Sequence, residues 1–135
     1  MHTCSLVFPP DPVWVRPCRE SVRALLTAAD RCDLADMAVL LTSEAVTNAV
    51  NACRNDACAR PVTLFAEWSP RRCLRVLVHD EAAGLPVPRA PGPEDHHGRG
   101  MLLIAAGASD WGVCRHGPGP GKATWFELAG ARLPA

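Results

Sequence analysis

The sequence predicts an α+β fold: a two-layer sandwich with a mixed, mostly antiparallel sheet covered on one face by helices. Three observations lead there. Strand-like alternation comes in pairs, two long helical patterns precede the first pair, and 135 residues suffice for one compact core. The chain is accordingly read as a single domain over 1–135.

Each element has its own signal. "CSLVF", ended by "PPDP", reads as an edge strand. "PCRESVRALLTAA" sets Val22, Leu25, Leu26 and Ala29 at helical spacing, with Pro17 at the expected helix start. "DLADMAVLLTSEAVTNAVNAC", from Asp33 to Cys53, is the longest helical pattern, with Asp33 as its expected N-cap. "PVTLFAEW" and "CLRVLVHD" follow as strands joined by "SPRR". In the second, Leu74, Val76 and Val78 alternate, so one face is buried. From Glu81 to His97, Pro86, Pro88, Pro91 and Pro93 forbid regular structure; a loop of this length reads as a functional lid or as disorder. "GRGMLLIAAGA" resumes as a short helix, and "DWGVCRH" and "KATWFEL" close as strands about "GPGPG".

Composition narrows the function. Acidic and basic residues balance at 14 each, which argues against a nucleic-acid binder. No apolar stretch approaches the roughly 20 residues of a membrane span. "MHTCSLVFPP" lacks the basic and apolar regions of a signal peptide, so a cytoplasmic location with no membrane attachment is expected. The seven cysteines are odd in number, scattered and without a CxxC pair; they read as reduced packing residues, not as a disulfide framework or zinc site.

The polar residues of the long helix need an account. At about 100° per residue, Asn48 falls near +40° and Asn51 near −20° of Glu44. Most of the remaining circumference is apolar, and no Lys or Arg occurs from Asp33 to Cys53. The strip is either the solvent face of a surface helix or the lining of a cavity. In a cavity, Glu44 would serve as a base or water-orienting group and an Asn as an oxygen ligand for a hard cation. Downstream punctuation favours the cavity. Asp80 ends a strand four residues before Gly84, suited to accepting an amino group from a planar heterocycle. Gly98 and Gly100 open a helix, where free N–H groups favour anions.

These residues in this order, E-x-x-x-N on a helix, D-x-x-x-G after a strand, a loop, then G-R-G opening a helix, resemble the Bergerat ATP-binding fold of the histidine-kinase-like ATPase superfamily. The resemblance runs from about Val7 to Leu128. It is closest to small stand-alone members such as the anti-sigma-factor serine kinases in "LLTSEAVTNAVNA", "VLVHDEAAGLP", "GRGMLLIAAGASDWGV" and "GKATWFEL".

The resemblance implies ATP and magnesium as cofactors. Glu44 would polarise the attacking hydroxyl or water, and Asn48 would hold magnesium, with Asn51 in support. Asp80 would accept the adenine amino group, Gly84 would line the purine, and Thr124 would support the adenine end. Gly98, Arg99 and Gly100 would meet the phosphates, with Met101 counted among the nucleotide contacts. The implied activity is that of an anti-sigma-type serine/threonine protein kinase. It would bind a sigma factor and phosphorylate an anti-anti-sigma (STAS-type) partner, with a homodimer as an assembly open to it. The alternative is a non-catalytic module with ATP as a structural or regulatory ligand.

One departure bears on that choice: Ala82 stands where the adenine box usually has its first glycine. A positive φ there would cost alanine roughly 1 kcal/mol, and its methyl would crowd the nucleotide. Lys122 is expected as a solvated turn residue, Trp111 and Trp125 as core, and the His96–His97 pair as loop surface.

Overall fold

The computed structural model describes residues 2–69, 71–82, 103–115 and 121–129. The chain begins with β1 (His2–Phe8), then a 3-10 turn (Pro12–Trp14) capped by Asp11, whose Oδ1 accepts from the Val13 N–H at 2.9 Å. The helix α1 (Val15–Ala28) follows. Pro17 therefore lies within its first turn rather than at its start. Its missing N–H costs nothing there, because the first four N–H groups of a helix have no internal partner. A second 3-10 turn (Cys32–Leu34) leads into α2 (Ala35–Asn55). Asp33 does not cap α2: the Arg31 guanidinium donates to both its carboxylate oxygens, Nε at 2.9 Å and Nη2 at 2.7 Å.

Four more strands complete the sheet: β2 (Val62–Ser69), β3 (Cys73–Asp80), β4 (Asp110–Arg115) and β5 (Lys122–Ala129). The expected α+β sandwich is thus observed, in the order β1-β2-β3-β5-β4, with every ladder antiparallel. A helical stretch over 103–107 precedes β4. The run from β3 to β4 skips one sheet position, which β5 then fills by turning back from β4. β3 and β4 therefore point the same way without pairing.

α1 packs on β1 and β2, while α2 packs mainly on β3 and also on β2 and β5. Burial follows from strand parity. Leu64 and Ala66 of β2, Leu74, Val76 and Val78 of β3, and Phe126 and Leu128 of β5 meet Leu26, Ala38, Leu41, Ala45, Val46 and Val50 of the helices. All seven cysteines are free; Cys18 and Cys53 are buried, whereas Cys32 and Cys114 are exposed. No helix among the described residues is long and apolar enough to cross a membrane.

Candidate functional site

Strand parity carries β3's buried series Leu74, Val76, Val78 one step further, to Asp80. Opposite them on β5 stand Leu128, Phe126, Thr124 and Lys122. The ladder thus ends on an acid facing a base beneath the helical layer. Asp80 Oδ1 accepts from Lys122 Nζ at 2.6 Å and from the Ala82 N–H at 3.0 Å. Lys122 Nζ also donates to the Ala82 carbonyl at 3.4 Å. The Asp80 and Lys122 side chains are 1% and 2% exposed, so each buried charge has the other as its partner, which offsets part of the cost of burying it.

Lys122 is therefore not a solvated turn residue. A signal for this was present in the sequence: Lys122, Thr124, Phe126 and Leu128 share strand parity, which places the lysine on the buried face.

Ala82 does not take the positive φ that would have strained an alanine. The described non-glycine residues with positive φ are Asp30, Ala57 and Arg72. Ala82 belongs to the hydrophobic core. Its methyl is packed rather than projecting into an open site.

On α2, Glu44, Asn48 and Asn51 are half-buried along one strip. The amide nitrogen of Asn48 is buried without a hydrogen-bond partner. Such a group costs about 1–3 kcal/mol unless something fills its valence. A half-turn of the carboxamide presents oxygen instead, so the position suits either a ligand acceptor or a hard cation. Farther along, α2 reaches Asp80: burial first, then the Asp80 carboxylate and Cys58, pushes the Cys53 thiol up to about 11. Cys53 follows Glu44 by nine residues, about 13 Å along the helix axis.

The structure thus gathers Asp80, Thr124 and Lys122 under α2, whose strip holds Glu44, Asn48 and Asn51. Gly84, Gly98, Arg99, Gly100, Met101 and the His96–His97 pair lie outside the described residues. Trp111 packs against the core as expected. Trp125 does not; it lies on the opposite sheet face, over Gly112. A groove of about 370 Å³, lined by Arg16, Arg19, Glu20, Arg23 and Val39, runs beside α1.

A family model described as the histidine kinase-like ATPase domain matches residues 8–126. No curated protein sequence matches the chain. Among solved structures, the chain resembles the crystal structure of the RsbU and RsbW domains of Rv1364c from Mycobacterium tuberculosis, with a TM-score of 0.69 at 16% identity. The match covers 96% of this chain and 32% of that one, so the chain spans about a third of its length. At that identity the likeness is one of fold.

Proposed function

The chain belongs to the histidine kinase-like ATPase domain family, and from that premise we propose that it is an ATP-binding regulatory protein, specifically an anti-sigma-type serine/threonine protein kinase. The observation that carries this reading is the pairing of a buried acid at the end of β3 with a partnerless amide on the α2 strip. An acceptor-only carboxylate suits the amino group of adenine. An amide oxygen suits magnesium. Glu44 and Cys53, the α2 residue that reaches Asp80, stand nine residues or about 13 Å apart along the helix axis, consistent with an extended nucleotide lying between Glu44 and the buried acid.

ATP with magnesium, when bound, supplies a transferable phosphoryl group. The chain's own residues bind, orient and take up a proton. Asp80 accepts from the base and Thr124 supports it. Asn48 holds the metal, with Asn51 beside it, and Glu44 orients the acceptor hydroxyl and draws its proton. Gly84, Gly98, Arg99, Gly100 and Met101 complete the nucleotide contacts. Such chemistry asks mainly for positioning and charge neutralisation.

The proposed partners are a sigma factor and a STAS-type anti-anti-sigma protein whose serine receives the phosphoryl group; the solved structure of similar fold contains a domain named RsbW. The groove beside α1 is lined by three arginines and by Glu20, which pairs with Arg16 at 3.1 Å; its net positive charge suits an acidic protein surface. On this reading the chain acts as one domain in the cytoplasm and can pair as a homodimer.

The test is thermal shift with ATP, ADP and GTP, with and without magnesium, followed by transfer of γ-phosphate label to a partner serine. Adenine nucleotides should stabilise the chain selectively, and Glu44→Ala should abolish transfer. A flat response to every nucleotide overturns the reading. Stabilisation without transfer would leave the nucleotide as a structural ligand.

A further inference from the structure

We propose that Lys122 is a positioning residue for purine selectivity: by clamping one oxygen of Asp80, it keeps that carboxylate an oriented, acceptor-only reader of a 6-amino purine. This rests on the reading above, in which Asp80 meets the base. Nothing in that reading requires a lysine here.

The geometry points to orientation. An aspartate carboxylate turns easily about its last bond, where the torsional preference is broad. In this site two donors converge on Oδ1, Lys122 Nζ at 2.6 Å and the Ala82 N–H at 3.0 Å. Their common hold fixes the plane of the group and hence the direction of Oδ2. The same ammonium reaches the Ala82 carbonyl at 3.4 Å. It therefore ties the acid to the backbone of Ala82, two residues beyond the end of β3.

Charge supplies the selectivity. An ionised carboxylate can only accept, so it rewards an exocyclic amino group and repels the carbonyl oxygen of a 6-oxo purine. Lys122 is the cation that partners this buried carboxylate. Without its hold on Oδ1 the group would turn more freely about its last bond. A reader that no longer points at the exocyclic position loses the distinction between the two purines.

The experiment compares dissociation constants of ATP and its 6-oxo counterpart, inosine triphosphate, on the full chain with magnesium present. The unaltered chain should prefer ATP by roughly 10- to 100-fold, the range of one hydrogen bond to a charged group. Lys122→Met should bring the two to within about threefold, chiefly by weakening ATP. Lys122→Gln, which keeps a neutral donor, should fall between them and serves if the methionine variant does not fold. Asp80→Asn should lose the preference as Lys122→Met does. An undiminished preference for ATP in either Lys122 variant overturns this inference and leaves the proposed function standing. An unaltered chain that does not favour ATP removes Asp80 as the reader, and this inference falls with it.

Discussion

Trp125 covers Gly112. The two residues face one another across the β4–β5 ladder, and a Cβ at Gly112 would stand 2.9 Å from Cε2, Cζ2 and Nε1 of the indole. The glycine thus makes room for the ring on the sheet face opposite the helices. Gly112→Ala should displace the indole and lower unfolding free energy by roughly 1 kcal/mol. The Trp125 Nε1–H resonance and a urea titration read the two effects. An unmoved resonance with unchanged stability would contradict the packing.

The Asp80–Lys122 pair makes a separate prediction about stability. Lys122→Met strands a buried carboxylate and should cost about 3–5 kcal/mol. Asp80→Leu combined with Lys122→Met replaces the pair by apolar side chains and should recover most of that loss. Denaturant midpoints of the unaltered chain, the single variant and the double variant test it. A double variant no better than the single would show that the two residues do not act as a pair.

Thr42 lies near +160° of Glu44 on α2, away from the polar strip, with its hydroxyl buried and without a partner. Valine has the same branched shape without the oxygen. Thr42→Val should therefore stabilise the chain by about 1 kcal/mol. Thermal unfolding measures it, and a lower melting temperature would mean that the hydroxyl is satisfied in solution.

Alkaline pH should weaken the fold through its thiols. Burial first, then Cys4, pushes the Cys18 thiol up to about 12, and burial first, then Glu127, pushes Cys73 up to about 11. The ordinary thiol value is 9.0. Above it the unfolded chain gives up protons that the folded chain retains, so the folded state binds more and loses stability as pH rises. The contribution is complete below about 9 and is lost progressively towards 11–12. Urea midpoints should decline across that window, less steeply in Cys18→Ala. The chain has no tyrosine to confuse the result.

What the sequence disclosed, and what it hid, follows from the range of each interaction. Leu74, Val76 and Val78 announced a buried strand face because parity is a local property. The strip of Glu44, Asn48 and Asn51 was visible because helical spacing is local too. The start of each helix is masked in the sequence by the 3-10 turn that precedes it. Pro17 and Asp33 are common start residues that have other places here. Strand parity already puts Lys122 on the buried face, but its partner lies 42 residues away and only the register of β3 against β5 brings them together. The conformation of Ala82 was equally out of reach, since a motif records which residue is usual and not the φ this chain adopts.

The strand order also has a consequence for how the protein comes into being. β5 inserts between β3 and β4 although it is made after both. While a ribosome is still extending the chain, the edge of β3 that carries Asp80 waits without its neighbour, an open template for mispairing. The acid meets its lysine only when β5 docks. That one step therefore completes the edge and the charge pair together.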